Sequence, residues 1–181
     1  MRRQFEGNAK KGGHVYSSDL LAPSRIPHRA AAARTRDLRR LRASDPAVRV
    51  MTDFLHDPPL TAAEDCTLDS ALDDMFRFGV RAFLVVRELC VVGLITVEDI
   101  RQARRGAATR VAEAMTAAAD MPAIDWQTVQ QSKISDLLEI FEGARVHHLV
   151  VLESESAQRA RVRGLVHRSR VERSLHLSAG M

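Results

Sequence analysis

Thr96 and Asp99 are the pair of residues in this sequence whose types and spacing could most readily do chemistry. They lie in the stretch GLITVEDI, residues 93–100, where an apolar run ends and a helical pattern begins. A threonine at the start of a helix and a carboxylate three residues later can form a capping box. The same hydroxyl could bind a phosphate oxygen at the helix N-terminus, and the carboxylate could accept hydrogen bonds from a ribose diol. The motif therefore leaves two roles open, a structural cap and a nucleotide site.

Other reactive residue types do not combine into a catalytic or metal-binding pattern. The sequence contains no nucleophile elbow, no Walker loop and no His-x-x-x-His pair. Cys66 and Cys90 fit neither a metal-ligand spacing nor a disulfide framework, so we expect both to be reduced and partly buried. Neighbouring His147 and His148 on a strand would face opposite sides, which makes a poor metal pair. Trp126 could stack on a base, but on the first strand of its half it is expected to pack. We therefore expect a protein that is not an enzyme.

Charge is distributed unevenly along the chain. Residues 1–45 contain eleven Lys or Arg against four Asp or Glu, and residues 46–181 contain sixteen against nineteen. The two parts carry +7 and −3, which gives the net charge of +4. The basic character belongs to the N-terminal extension, and the body is not expected to bind nucleic acid.

No apolar run approaches the ~18 residues of a membrane span, so we expect a cytoplasmic protein without a membrane partner.

The N-terminal extension, residues 1–45, is expected to be separate from the folded body. Residues 1–27 have no hydrophobic period, which indicates disorder. Residues 28–43 are rich in Ala and Arg, which predicts a helix with a thin apolar face formed by Ala31, Leu38 and Leu41. The extension lacks interleaved aromatic residues for base stacking, so nucleic-acid binding by this tail is not favoured.

The body contains an internal repeat that decides the expected fold. Met51-Thr52 recurs as Met115-Thr116, and a short strand near Pro59 or Pro122 follows each. An amphipathic helix comes next, then FLVV or LVVL, then VVGLI or VRGLV, and then a terminal helix. The turn between the last two strands is expected to be short in the first copy and long, over residues 153–161, in the second. Each β-α-β-β-α copy is too small to be stable alone, so we expect an α/β (α+β) fold with the copies packed sheet to sheet. The expected boundaries are 46–108 for the first copy, 109–176 for the second and 177–181 for a tail.

The repeated unit resembles the cystathionine-beta-synthase (CBS) domain, and the pair resembles a Bateman module. The resemblance covers roughly residues 46–175, without an enzyme, channel or transporter domain, as in a stand-alone CBS protein. It implies two halves related by a pseudo-two-fold axis, with two clefts between them, and homodimers in which four CBS units form a flat disc. The matching segments are Met51-Thr52, TLDSAL, GVRAFLVV and GLITVEDI in the first copy, and VAEAMT, KISDLLEIF, VHHLVV and RGLV in the second.

The resemblance also implies that the clefts bind adenosine ligands. AMP, ADP or ATP are the first candidates, ahead of S-adenosylmethionine and NAD, and no obligatory cofactor is implied. In the first cleft it assigns Thr96 to the phosphate, Asp99 to the ribose and Leu60 to the base ring. Arg81 and Ala82 precede the strand where the backbone approaches the nucleotide, and Arg81 could either pair with a phosphate or be a solvated arginine.

The second cleft departs from the pattern, because GLITVEDI is replaced by GLVHRSRV at residues 164–171. His167 stands in place of Thr96, and Arg170 stands in place of Asp99. An arginine cannot accept hydrogen bonds from a ribose, and the helix N-terminus repels its charge. The second cleft is therefore either empty or a polyphosphate site using Arg168 and Arg170. Because this helix lacks the Thr and Asp pair, capping alone becomes a weaker explanation for that pair in the first copy.

Two functions of different classes follow. The first is a regulatory, signal-transducing module, in which an adenine nucleotide bound in the first cleft changes the conformation or oligomeric state and thereby acts on a regulated protein of unknown identity. The second is a scaffold with empty clefts, in which the CBS pair dimerises and the basic tail docks onto an acidic partner.

Overall fold

Two four-stranded sheets form the centre of the fold, and helices pack on them. The computed structural model describes residues 41–179 apart from 89, 105, 107, 108, 157 and 158. The strands are β1 (Thr52–Asp53), β2 (Thr61–Ala63), β3 (Ala82–Arg87), β4 (Cys90–Thr96), β5 (Thr116–Ala117), β6 (Ala123–Asp125), β7 (His148–Ser156) and β8 (Arg159–His167). The helices are α1 (Leu68–Phe78), α2 (Val97–Ala103), α3 (Val111–Ala114), α4 (Trp126–Gln131), α5 (Ile134–Ala144) and α6 (Arg168–Ala179), with one-turn 3-10 helices at Ala47–Arg49 and Ala118–Asp120.

The two sheets have matching topologies, which confirms the mixed α and β fold class. The strand orders are β2-β3-β4-β5 and β1-β8-β7-β6. In each sheet a central antiparallel hairpin, β3-β4 or β7-β8, carries a parallel strand, β2 or β6, on one side. The strand on the other side comes from the opposite copy, since β1 pairs with β8 and β5 pairs with β4. The two copies therefore exchange their short Met-Thr strands.

Glycine is required in β4 and β8 at the places where the exchanged strands β5 and β1 pack against them. Thr52 pairs with Leu165 in one sheet, and Thr116 pairs with Leu94 at the equivalent place in the other. A Cβ atom on Gly93 would lie 2.6 Å from the carbonyl oxygen of Thr116, and one on Gly164 would overlap the carbonyl oxygen of Thr52. Since a real Cβ cannot approach a carbonyl oxygen this closely, only glycine allows the neighbouring backbone to come near.

The segments that precede the two copies are exchanged in the same way. Ahead of the first copy, the carbonyl of Asp45 accepts a hydrogen bond from the N–H of Ile134 (2.9 Å), at the start of α5. Ahead of the second copy, the carbonyl of Thr109 accepts one from Leu68 (3.0 Å), at the start of α1. Each linker thus fixes the first turn of the opposite copy's main helix, where backbone N–H groups otherwise lack helical partners.

Three apolar layers hold these elements together, because successive strand residues face opposite sides of a sheet. One layer lies between α5, α6 and the β7-β8 sheet, and a second lies between α1, α2 and the β3-β4 sheet. The third lies between the two sheets and is the shared core expected from the repeat. Its buried members are Leu84, Val91, Leu94, Met121, Val150, Leu152, Ala160 and Val162.

Several expected boundaries differ from the structure. Leu41 is only 1% exposed and packs in the core beneath α5, so the body begins before residue 46. Residues 41–45 are not helical, and the rest of the predicted helix and of the basic extension lies outside the described residues. At the other end, α6 continues to Ala179 and includes part of the expected tail.

Two expectations for the second copy are also corrected. Most of the expected long turn at residues 153–161 is strand, because β7 and β8 remain paired as far as Ser156 and Arg159. Trp126 is the first residue of α4 and does not lie on a strand; α4 follows β6 directly, with Asp125 as its N-cap.

Candidate functional site

Thr96 and Asp99 form a complete capping box at the start of α2. The hydroxyl of Thr96 accepts a hydrogen bond from the N–H of Asp99 (3.1 Å). Oδ2 of Asp99 accepts the backbone N–H of Thr96 (2.9 Å) and its hydroxyl (2.7 Å). Within the described residues, Oδ1 of Asp99 has no hydrogen-bond partner, and the side chain is half-buried. One carboxylate oxygen is therefore enough for capping, and the other can accept hydrogen bonds from further donors.

The backbone at Arg81 and Ala82 lies beside this cap. Ala82 is paired with Thr96 across the β3-β4 hairpin, and the carbonyl of Arg81 accepts a hydrogen bond from Val97 (3.1 Å). Ala82 packs against the layer between the sheets. Leu60 is half-buried and packs against the helix–sheet core of the first copy. The fold thus brings the cap and the entry of β3 together, whereas Leu60 has a packing role in its own core.

The side chain of Arg81 lies at the boundary between the two copies. It is exposed, and its positive charge contributes to lowering the pKa values of His148 and His167. Both histidines belong to the second copy, so this guanidinium lies near residues of the opposite half. The backbone of Arg81 therefore lies beside the cap of α2, while its charge acts on two histidines of the second copy.

His167 caps α6 in place of a threonine. Its Nδ1 accepts a hydrogen bond from the backbone N–H of Ser169 (3.0 Å) and lies 2.9 Å from the hydroxyl of the same residue. The neutral imidazole therefore carries its proton on Nε2. This helix starts without the Thr and Asp pair, as the sequence indicated, but it is still capped, because an imidazole nitrogen accepts a backbone N–H of its first turn.

The two arginines predicted for a second site both contact other protein groups. Nε of Arg168 donates to Glu172 (2.7 Å), one turn further along α6. Nη1 of Arg170 donates to the hydroxyl of Thr52 (2.9 Å), on the strand exchanged from the first copy. Arg170, which stands in the place of Asp99, therefore binds the crossing strand, and both arginines have structural partners.

His148 and His167 form a buried pair beside this cap. They face each other across β7 and β8, with ring centroids 4.3 Å apart in an edge-to-face arrangement. Burial lowers the pKa of His148 to about 3, helped by the charges of His167, His147 and Arg81. Burial also lowers the pKa of His167 to about 4, helped chiefly by Arg81. Both imidazoles are therefore neutral near pH 7. The neighbouring His147 is exposed.

The comparisons with known proteins agree with this architecture. The model of the family described as "CBS domain" matches residues 49–106. The first repeat is a CBS domain. The second repeat has the same arrangement of hairpin, parallel strand and main helix, so the chain has the fold of a CBS-domain pair. No curated protein matches the chain in sequence.

Solved structures resemble most of the chain. An uncharacterised conserved protein from Pyrococcus horikoshii is 18% identical, with a TM-score of 0.56 over 74% of this chain and 94% of its own. The CBS domain pair of the protein MJ0100, in complex with 5′-methylthioadenosine and S-adenosyl-L-methionine, is 18% identical, with a TM-score of 0.53 over 73% and 95%. CBSX2 in complex with AMP is 14% identical, with a TM-score of 0.50 over 72% and 95%. At these identities the likeness concerns the fold.

One charged cluster between the repeats was not foreseen from the sequence. The guanidinium of Arg163 stacks on Trp126 (4.6 Å to the ring centre) and donates to Asp53 (2.9 Å) and Glu153 (3.3 Å). Burial disfavours ionisation of Asp53, but hydrogen bonds from Leu55 and Arg163 outweigh it and hold its pKa below the usual value. A β-bulge leaves Arg163 outside the strand ladder, and periodicity does not reveal a bulge. The cluster joins Asp53 of the first repeat to the second repeat.

Other site types are not found in the described part of the chain. Among those residues no group of three or more His, Cys, Asp or Glu could hold a metal ion. Cys66 and Cys90 are free and half-buried, as predicted. No helix of the described ranges is both long and apolar enough to cross a lipid bilayer.

Proposed function

We propose that this CBS-domain pair is a regulatory module that binds an adenosine nucleotide in the cleft of the first repeat. The observation that carries the proposal is the half-buried carboxylate of Asp99. Its Oδ2 is used by the cap, while among the described residues no donor reaches Oδ1, which is left to accept hydrogen bonds. An acceptor-only group of this kind suits the two hydroxyl groups of a ribose.

The ligand class follows from the fold and its relatives. MJ0100 was solved with two adenosine derivatives and CBSX2 with AMP, and adenosine is common to these ligands. Arg81, whose backbone lies beside the cap of α2, offers a positive charge that favours a ligand with a phosphate group. AMP, ADP and ATP are therefore the first candidates, ahead of S-adenosylmethionine and NAD.

The position of Arg81 between the two repeats supports the regulatory role. The backbone at Arg81 supports the start of α2, whereas its guanidinium lies near the second repeat. A ligand held by Asp99 and Arg81 would contact both halves and favour one arrangement of the pair. Ligands shift such equilibria only through their different affinities for the two states. We propose that this shift acts on a separate regulated protein and that the module does no chemistry of its own.

Thermal unfolding with added ligands tests the nucleotide site. A ligand present at about 100 times its Kd stabilises the folded state by about 2.7 kcal/mol. We expect AMP, ADP or ATP to raise the melting temperature of the wild-type chain and to lose this effect in Asp99→Ala. If none of the adenosine ligands raises the melting temperature of the wild type, the proposed function is wrong.

Asp136→Ala is the matched control for Asp99→Ala. Asp136 occupies the same capping-box position in α5, where it accepts the N–H of Lys133 (2.9 Å). Both substitutions remove a helix cap worth about 1 kcal/mol, but only Asp99 lies in the proposed cleft. Asp136→Ala should therefore unfold at a lower temperature and keep the full ligand-induced shift. An equal loss of that shift in both variants would assign Asp99 to capping alone.

A ligand-free dimerisation scaffold is the second candidate. Phe76 and Phe78 near the end of α1 are 66% and 44% exposed, and large apolar side chains at a surface favour association. Homodimerisation through the CBS repeats is compatible with either candidate. The scaffold is preferred if the chain dimerises and no adenosine ligand raises its melting temperature.

A further inference from the structure

A group of basic side chains surrounds the His148–His167 pair at the boundary between the repeats. Arg81 at the entry of β3, His147 before β7 and Arg173 on α6 each act electrostatically to lower the pKa of His167. The acidic residue that faces His167 is Glu172, which raises its pKa slightly but is already paired with Arg168. The described groups around the pair are therefore predominantly positive. Such a concentration of positive charge favours an anionic ligand.

The inner histidine of the pair has an unsatisfied polar atom. His148 is 8% exposed, and its Nε2 is buried without a hydrogen-bond partner among the described residues. A buried polar atom without a partner costs free energy, so its presence in a folded protein calls for an explanation. The first repeat has a small apolar residue, Ala82, at the equivalent position opposite Thr96. Packing at this position of the hairpin therefore does not by itself require an imidazole.

The outer histidine can take a proton only at the atom that caps α6. Nδ1 of His167 accepts from Ser169, so its neutral form already carries hydrogen on Nε2. A second proton must bind at Nδ1, where it displaces the N–H of Ser169, and the hydroxyl of Ser169 can then accept it. Protonation of His167 is thus coupled to the first turn of the C-terminal helix.

We propose that Arg81 and the His148–His167 pair form a proton-coupled anion site, in which the phosphate of a bound nucleotide and a proton on His167 bind together. An anion beside Arg81 would offset the repulsion by which Arg81 adds to burial in keeping the imidazole neutral. By linkage, an anion that favours the protonated form also binds more tightly when that form is populated. The inference deepens the proposed function and rests on it for the identity of the ligand.

The test follows the imidazole resonances of the full chain by NMR during a pH titration. It compares the free chain with the chain in sulfate, AMP or adenosine; sulfate keeps its charge throughout, and adenosine lacks the anion. We expect sulfate and AMP to raise the pKa of His167 by about one to two units, and adenosine to leave it unchanged. The sulfate-induced shift should be lost in Arg81→Gln. His56, an exposed histidine beside Asp53, is the control resonance.

A second measurement applies if the chain unfolds before His167 titrates. Calorimetry should give a sulfate affinity roughly two- to tenfold higher at pH 5 than at pH 8 in the wild type. The substitution His167→Thr, which copies the first repeat, should remove most of this difference, whereas His56→Gln, at an exposed histidine outside the cluster, should retain it. Equal pH dependence in the wild type and His167→Thr would overturn the proposal.

The outcomes also separate this inference from the proposed function. If AMP raises the melting temperature but neither AMP nor sulfate changes the His167 titration, the nucleotide site stands and the proton-coupled site is wrong. If sulfate shifts His167 and no adenosine ligand binds, the anion site stands and its nucleotide ligand is wrong.

Discussion

At the residue scale, the two repeats cap equivalent helices by different chemistry. In the first repeat, Thr96 and Asp99 exchange hydrogen bonds, whereas in the second, the imidazole of His167 accepts the bond from Ser169. A backbone N–H at a helix start needs an acceptor, and an oxygen or an imidazole nitrogen can provide it. The loss of the Thr and Asp pair from the second repeat therefore gives no argument for a ligand in the first. The ligand proposal depends instead on Oδ1 of Asp99.

The histidine pair predicts that the fold loses stability in acid. A histidine in the unfolded chain has a pKa of about 6.5, while in the folded chain His148 has a pKa of about 3 and His167 of about 4. The unfolded state therefore binds more protons below pH 6.5. The free energy of unfolding should fall as the pH decreases from about 6.5 towards 4, by at most about 1.4 kcal/mol per pH unit for buried His148 and by less for His167, which is more exposed.

Denaturant titrations at several pH values test this prediction. His148→Ala combined with His167→Thr copies the residues of the first repeat and should flatten the dependence on pH. His56→Ala changes an exposed histidine and should leave the dependence unchanged. The same acid slope in the wild type and the double variant would show that other groups cause it.

At the element scale, the exchanged strands hold the two repeats together. β1 and β5 have two residues each, too few to be stable as independent strands. They persist because Met51 lies in the core of the second repeat, and Met115 packs against the core of the first. The exchange explains why neither copy has a complete sheet of its own residues.

Substitution of the crossing glycines should separate these strands. In Gly93→Ala and Gly164→Ala the new Cβ would overlap a carbonyl oxygen of the crossing strand. Since backbone cannot yield as a flexible side chain does, we expect each to lower the free energy of unfolding by about 1–3 kcal/mol or more. Gly143→Ala in α5 is the control, because nothing lies within 4 Å of its Cβ position. Chemical denaturation of the three variants measures the free energy of unfolding. Equal stability of all three would contradict the close contacts at Gly93 and Gly164.

At the scale of the whole molecule, the folded body includes the end of the basic extension. Leu41 is buried with α5 and α6, and the segment that follows it joins the start of α5. Deletion of residues 1–40 should therefore leave the body folded. Leu41→Ala should destabilise it by about 2–5 kcal/mol, the range for a buried leucine.

Circular dichroism and thermal unfolding distinguish these two changes. The chain lacking residues 1–40 should keep the melting temperature of the full chain within a few degrees, whereas further deletion to residue 44 should lower it as Leu41→Ala does. A large loss of stability on removing residues 1–40 alone would mean that the extension contributes to the core.

Much of the fold could be predicted from the sequence because the helices and strands depend on the spacing of apolar residues that lie close together in the chain. The apolar spacing of Leu68, Leu72 and Met75 predicted α1, and its repetition in α5 predicted the internal symmetry. The candidate site was predictable as far as Thr96 and Asp99, because a capping box is a local motif. The bulge at Arg163 and the helical position of Trp126 could not be predicted, since both depend on strand pairing in the folded chain.

The sequence by itself determined the repeat, the elements within it and the position of the Thr96–Asp99 box, because these features depend on neighbours a few residues apart. Only the tertiary structure decided that the Met-Thr strands cross between repeats, that Leu41 belongs to the core and that Arg81 lies near His148 and His167. Those contacts join residues far apart in the chain, and their partners are selected by packing and charge in the assembled pair. The first proposed site therefore came from a local motif, and the second from the way the repeats meet.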